Sequence, residues 1–362
     1  MRIVQALGGS GRGGTERFFT RLLKAFHSRD IPQAALTRRN EWVAEQLAGT
    51  GIDLRRSWFG GKFDIVTRVR YRRILRAFGA DVAINWMPPA AAACPPGPWV
   101  KVSRLGKCYA LDAFASCDHV IANSPRIAAH CEAQGLPASR VSYIPNFVPE
   151  IKAAPVRRAA FNTPEDAPLI LWLGRMAWDK GPDIAVGALA AVPQAYLWMA
   201  GAGPDEDRVK ELAAQIGVSG RIRFLGWRDD IHALLRTGDI FVRSSRGEGL
   251  GNILEAWAEG LPVISTRSTD TAQIVANGET GLLVAGDDPA ALASALKTLI
   301  SNRDLAWRLG ETGKSHFQAH FSEEIVVEMY LDLCRRLKEE YACRTKAALQ
   351  PRNQAPNLTL AG

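Results

Sequence analysis

No hydrophobic run in this sequence approaches the roughly 20 residues that a membrane-spanning helix requires. The six cysteines, Cys94, Cys108, Cys117, Cys131, Cys334 and Cys343, show no C-x-x-C spacing. This argues against a disulfide framework or a zinc site and for reduced thiols in the cytosol. The six histidines are equally unpromising as metal ligands. His316 and His320 stand one helical turn apart, but the glutamate of a metalloprotease helix is missing. No G-x-S-x-G element marks a serine hydrolase. The opening Met1-Arg-Ile-Val-Gln-Ala-Leu7 reads as a strand and has neither the apolar core nor the cleavage site of a signal peptide. A cytoplasmic protein without a catalytic metal is therefore expected.

The chain has 362 residues, 47% of them hydrophobic and 23% charged, which is ordinary for a soluble globular protein of two domains. The net charge of +8 is unevenly placed. Residues 1–150 hold 21 lysines and arginines against 11 acids, and the remainder holds 24 against 26. The whole excess lies in the first half, which by charge alone could meet nucleic acid, anionic lipid or an acidic glycan.

Short apolar strands alternate with longer amphipathic helices. Strands are predicted at 3–7, 35–37, 52–55, 81–85, 119–123 and 141–144, with helices at 16–26 and 124–134. The stretch 145–168 is rich in Ala, Arg and Pro and reads as a linker. The pattern then restarts, with strands at 169–173, 195–199, 222–225, 239–242, 263–265 and 281–284 and helices at 182–191 and 205–216. Such alternation implies parallel, doubly wound α/β domains. The chain is predicted to be helical from 289 to about 342, and polar residues 346–362 are expected to be disordered.

The most informative segment is Glu248-Gly-Leu-Gly-Asn-Ile-Leu-Glu-Ala-Trp-Ala-Glu-Gly260. Glycines allow a backbone to approach a ligand closely, and a helix N-terminus after them offers free N–H groups to a phosphate. The carboxylates Glu248 and Glu255 can accept hydrogen bonds from sugar or ribose hydroxyls. The plainer alternative is a strand–helix loop with two solvated acids. Gly174-Arg175 and Lys180-Gly181 lie at the end of the second domain's first strand, the edge where open α/β sheets bind ligands. Two fixed cations there suit a diphosphate.

In the first domain, Gly9, Gly11 and Gly14 satisfy G-x-G-x-x-G after a strand and before a helix. No acid follows the second strand to hold a ribose; Arg38 and Arg39 stand there instead. A general phosphate or sugar loop, a dinucleotide loop and a structural turn all remain open. Residues 68–78 place Tyr71, Ile74, Leu75 and Phe78 on one apolar stripe. Arg68, Arg72, Arg73 and Arg76 lie on the other side. Such a helix either packs on a core with a solvated basic face or lies on an anionic membrane, with the upstream Trp58-Phe59 as an anchor.

Together these residues resemble a retaining glycosyltransferase of family 4. The resemblance runs to about residue 340. Its carriers are Gly13-Gly-Thr-Glu-Arg17, Ala122-Asn-Ser124, Ile144-Pro-Asn146, Gly174-Arg175, Lys180-Gly181, Gly201-Ala-Gly-Pro204, Phe224-Leu-Gly226, Glu248-Gly-Leu-Gly251 and Glu255-Ala-Trp-Ala-Glu-Gly-Leu-Pro-Val263. The resemblance implies the GT-B architecture: two facing Rossmann-like domains with a cleft between them. Residues 1–150 would form the acceptor domain, with a helix at about 323–342 packing back on it. Residues 165–322 would form the nucleotide-sugar domain.

It further implies that Arg175 and Lys180 bind the donor diphosphate, beside Gly174. Glu255 would hold the donor ribose and Glu248 the donor sugar, with Gly249 and Gly251 shaping the loop. Gly13 and Gly14 would border the donor phosphates and the acceptor. The two acids stand one residue closer than in the family pattern, with six residues between them. The histidine that many relatives carry in the first domain is absent from Val102-Ser-Arg-Leu-Gly106, where Arg104 is the candidate to fill its space.

The implied activity is transfer of a sugar, with retained configuration, from a nucleotide-sugar donor to a cell-envelope glycan or glycolipid such as lipopolysaccharide. Peripheral contact with the inner face of the cytoplasmic membrane is expected, and no nucleic-acid partner. Rival readings are a same-fold nucleotide-sugar epimerase or phosphorylase, an NADP-dependent oxidoreductase built on Gly9–Gly14, and a catalytically silent binding protein.

Overall fold

The computed structural model describes residues 1–61, 64–247 and 250–349. The chain divides into two compact units, Met1–Ile144 together with the chain from Val327, and Pro145–Val326.

The first unit is a seven-stranded sheet of order β3-β2-β1-β4-β5-β6-β7, parallel throughout. Its strands are β1 (Ile3–Leu7), β2 (Gln33–Arg38), β3 (Asp53–Ser57), β4 (Val82–Trp86), β5 (Val100–Leu105), β6 (His119–Ala122) and β7 (Val141–Tyr143). Its first helices are α1 (Gly14–His27), α2 (Glu41–Leu47), α3 (Ile65–Phe78), α4 (Met87–Ala93) and α5 (Pro125–Ala133). The central strands β1 and β4 are buried on both faces, as a helix-covered parallel sheet requires.

The second unit has six parallel strands in the order β10-β9-β8-β11-β12-β13. They are β8 (Leu169–Leu173), β9 (Tyr196–Ala200), β10 (Ile222–Gly226), β11 (Ile240–Arg243), β12 (Val263–Thr266) and β13 (Leu282–Val284). The helices are α6 (Pro182–Ala190), α7 (Glu206–Gln215), α8 (Ile231–Leu235), α9 (Gly251–Ala258), α10 (Thr271–Ile274), α11 (Pro289–Ser301) and α12 (Arg303–His320). Strand order reverses between β8 and β11, the switch point at which ligands of open α/β sheets sit.

The last helix, α13 (Glu323–Leu349), brings the chain back to the first unit. Val327, Tyr330, Cys334 and Leu337 recur at helical spacing and are buried. Lys338 pairs with Asp81 at 3.0 Å, and the Tyr341 hydroxyl donates to the Gly97 carbonyl at 2.9 Å. The helix continues past residue 346, where the polar tail was expected to start; residues 350–362 lie outside the described residues.

The linker expectation needs correction. The stretch 145–168 is not a free linker. Phe147 and Val148 are buried, Arg158 pairs with Asp239 at 2.9 Å, and Thr163 Oγ1 accepts the Trp198 indole N–H at 2.9 Å. Strand β5 was missed because Lys101, Ser103 and Arg104 interrupt its apolar residues. Helix α4 was missed because Met87-Pro-Pro89 reads as a loop, although proline is well tolerated in a first helical turn.

Candidate active site

A dense polar construction in the second unit lies at the C-terminal ends of β8 and β11. After β8 the chain runs through Gly174-Arg175 into a single 3-10 turn, Trp178–Lys180, and then into α6. Gly181 joins them at φ +61°, and a Cβ there would lie 2.0 Å from the Ser244 carbonyl oxygen. No other residue fits that contact. Gly201, at φ +137°, is equally fixed, since a Cβ would lie 1.7 Å from the Gly174 carbonyl oxygen.

This packing holds two cations close together. Arg175 Nη2 stands 3.1 Å from one carboxylate oxygen of Asp179, and Lys180 Nζ stands 3.2 Å from the other. The Asp179 carbonyl accepts the Gly247 N–H and the Ser245 hydroxyl, both at 2.9 Å. The Ser244 hydroxyl donates to the Gly181 carbonyl. The turn after β8 is thus stitched to the segment leading into residue 248.

Arg246 completes the frame. It makes a paired contact with Asp183 at 2.9 and 2.8 Å, reaches Asp287, donates to the Trp178 carbonyl at 2.9 Å and lies 4.8 Å over the Trp178 ring. Hydrogen bonds and charge from Asp183 and Asp287 raise its pKa far above the usual value against the opposing effect of burial. Burial pushes the Asp183 carboxyl up, but the hydrogen bonds and charge of Arg246 outweigh it and hold the group below its usual value. At the end of β11, burial lowers the Arg243 guanidinium to about 10, opposed by the Asp270 charge. Arg243 Nη2 donates to the Gly247 carbonyl at 2.9 Å.

Gly251 opens α9, and Glu255 sits one turn further on, 8% exposed. Asn252 binds this helix to β8 through the Leu173 carbonyl. Glu248 and Gly249 lie outside the described residues. Arg175, Lys180 and Gly174 therefore come together on one turn that is bonded to the segment before residue 248, with Glu255 on the helix after it. Sequence reasoning missed Asp179, Ser245 and Arg246. The one available signal was the i, i+4 spacing of Arg175 and Asp179 on a loop whose fold was not legible.

In the first unit, Gly13 and Gly14 start α1, and nothing crowds Gly14 within 4 Å. The loop before them is occupied by its own acid. Buried Glu16 accepts the Gly13 N–H at 3.0 Å, and a Cβ on Gly9 would lie 2.7 Å from its Oε1. A carboxylate in that place disfavours a dinucleotide pyrophosphate.

Arg104, expected on the acceptor side, is interior and 2% exposed. Its guanidinium lies 4.9 Å over the Trp86 ring and 5.1 Å over Phe18.

The α3 stripe follows the core-packed alternative. Tyr71, Ile74 and Leu75 are buried in the core, and the Tyr71 hydroxyl donates to Asn85 at 2.9 Å. That face is therefore unavailable to a membrane. Arg68, Arg72, Arg73 and Arg76 are exposed, and so are Trp58 at 77%, Ile65 at 71%, Val66 at 69% and Val69 at 47%.

Comparison with known proteins fits this arrangement. The model described as Glycosyltransferase Family 4 matches residues 12–150, and that described as Glycosyl transferases group 1 matches residues 167–302. The lipopolysaccharide core biosynthesis glycosyltransferase LpsE of Rhizobium meliloti (strain 1021) is 36% identical over 327 residues, covering 89% of this chain and 95% of the relative. LpsD of the same organism, also named as a lipopolysaccharide core biosynthesis glycosyltransferase, is 31% identical over 334 residues, covering 90% and 95%.

Among solved structures, a glycosyltransferase from Rickettsia africae superposes with a TM-score of 0.82 at 19% identity, covering 93% of this chain and 98% of that one. HepE of Anabaena, solved in complex with UDP, gives 0.77 at 18% identity, covering 93% and 100%. Two doubly wound parallel-sheet units of this kind are the GT-B fold of these solved glycosyltransferases. The chain belongs to glycosyltransferase family 4, and it is an enzyme.

Proposed function

We propose that the protein transfers a sugar from a nucleoside-diphosphate donor to the lipopolysaccharide core or a related cell-envelope glycan, with retained configuration. The similarity to the two Rhizobium meliloti enzymes over nearly their whole length supports the acceptor class. The observation that carries the chemistry is the convergence of Arg175 and Lys180 on one turn at the sheet switch point. A sugar–phosphate bond breaks with negative charge growing on the departing diphosphate. Two cations already held in place stabilise that charge without reorganising, and they do so without a metal.

In this reading Glu255 receives the ribose hydroxyls, and Glu248, with Gly249 and Gly251, borders the donor sugar. Gly13 and Gly14, at the start of α1, border the acceptor, with open space at Gly14 and the Gly13 N–H already held by Glu16. The acceptor hydroxyl attacks on the face the diphosphate leaves, and the enzyme contributes mainly position and charge.

The test is incubation of the purified protein with a panel of nucleotide sugars and truncated lipopolysaccharide acceptors, reading product mass and anomeric coupling. A new glycan bearing the donor's anomeric configuration is expected. An inverted product, or donor isomerisation without transfer as an epimerase would give, would overturn the proposal.

Peripheral contact with an anionic membrane through the first unit belongs to the same reading. It is supported by the exposed Trp58, Ile65, Val66 and Val69 beside exposed arginines of α3. Among the described residues no helix is long and apolar enough to cross a membrane.

A further inference from the structure

We propose that Asp179 is the resident counter-ion of the diphosphate pocket, occupying the two cations when the donor is absent and yielding them to the diphosphate when it binds. The inference rests on the assignment of Arg175 and Lys180 to the donor diphosphate.

Each carboxylate oxygen of Asp179 takes one cation, Arg175 at 3.1 Å and Lys180 at 3.2 Å. The main chain of Asp179 does not depend on those pairings. Its carbonyl is held by Gly247 N–H and Ser245 Oγ, and Gly181 locks the turn that follows. The side chain can therefore swing away without unravelling the turn. It is also accessible: the Asp179 side chain is 39% exposed, beside Lys180 at 32% and Arg175 at 62%.

A diphosphate carries more charge and several acceptor oxygens, so it outcompetes one carboxylate for the same cations. The acid then opposes it. Asp179 weakens the hold on the diphosphate, which matters most after transfer, when the nucleoside diphosphate must leave. Because the Asp179 carbonyl also anchors Gly247, the residue joins the diphosphate turn to the segment leading into residue 248.

The experiment is calorimetric titration of wild type, Asp179→Asn and Asp179→Ser with UDP, GDP and ADP, repeated in an Arg175→Ala/Lys180→Ala background. Melting temperatures identify any variant that fails to fold, and the second substitution serves if the first does. For the nucleotide that wild type binds most tightly, each charge-removing change should tighten binding about three- to tenfold at low salt, as expected for losing two partly exposed ion pairs. The gain should shrink in high salt and vanish in the double-alanine background. Unchanged or weaker binding in the folded Asp179 variants, or a gain that persists without the two cations, would overturn the proposal. Wild-type affinity in the double-alanine protein would instead overturn the diphosphate assignment itself.

Discussion

The Arg104 guanidinium lies 4.9 Å over the Trp86 ring, and both side chains are buried in the first unit. Phe18 of α1 lies 5.1 Å from the same guanidinium and 5.9 Å from the Trp86 ring, and Tyr330 of α13 lies near Phe18 and Arg104. Burial lowers the Arg104 pKa, opposed by Tyr330, yet the group stays charged. Arg104 thus ties α1, β4 and the returning helix together. Arg104→Ala should cost on the order of 3 kcal/mol of stability, because it removes packing and leaves aromatic faces unfilled. Acceptor KM should barely move in protein that remains folded. An unchanged melting temperature with a raised acceptor KM would return Arg104 to the acceptor side.

Arg175→Ala and Lys180→Ala should each reduce transfer by on the order of 10²–10³ without loss of fold. Both side chains lie on a turn fixed by main-chain bonds, so the fold does not need them. Circular dichroism and single-turnover rates decide it, and near-normal rates in both variants would remove the assignment.

Glu255→Gln should weaken nucleotide-sugar binding by a hydrogen bond to a charged group, about 1.5–3 kcal/mol. Glu255 is 8% exposed on α9, which follows the segment stitched to Asp179 and Gly181. The sequence reading places Glu248→Gln as the milder change, given the shortened spacing of the two acids. Calorimetry on both variants compares them, and a stronger effect at Glu248 would reverse the order.

What was legible in the sequence follows from how each element is stabilised. Strands such as Leu169–Leu173 and Ile240–Arg243 are short, nearly continuous apolar runs, so burial announces them. Strand β5 hid because its buried Arg104 and Ser103 are stabilised by partners from distant elements. The apolar stripe of α3 was legible, but its direction was not: Tyr71 faces inward because Asn85 on β4 receives its hydroxyl. Arg175 and Lys180 were found by spacing. Asp179 and Arg246 were missed because their roles depend on a turn whose geometry Gly181 and Ser244 set together.

His119 predicts a pH dependence. Burial, then the charges of Arg336 and Arg140, lower its pKa to about 4, and its Nε2 pairs with Ser142 at 2.9 Å. The folded state therefore keeps it neutral, while the unfolded chain takes up a proton near 6.5. Its contribution is fully present above pH 6.5 and is lost as pH falls towards 4, by on the order of 3 kcal/mol at the limit. His316 is shifted in the same direction by burial and His320. Denaturant titrations of His119→Asn should show a shallower loss across that window, with the remainder due to His316 and, near pH 4, to lowered carboxylates such as Asp81 and Asp183. An equally steep loss would mean that His119 does not carry it.

The last prediction concerns the outer face of α3. Ile65, Val69, Arg72, Arg73 and Arg76 recur at helical spacing opposite the buried Tyr71 and Leu75, and Trp58 projects from the loop after β3. This face is apolar at one end and basic at the other. An anionic bilayer offers both an acyl boundary for the first and phosphate for the second. Each arginine near such a surface contributes about 1 kcal/mol, fading over a Debye length. Binding should be reversible, weakened by salt and stronger on vesicles rich in anionic lipid than on neutral ones. Trp58→Ala with Val69→Ser should reduce it at any salt concentration. Arg68/Arg72/Arg73/Arg76→Glu should abolish the preference for anionic lipid, while a Tyr71 substitution should act only by destabilising the fold. Sedimentation with both vesicle types measures all three. Equal binding to both lipids, or no loss in the arginine variant, would leave this face as solvated surface.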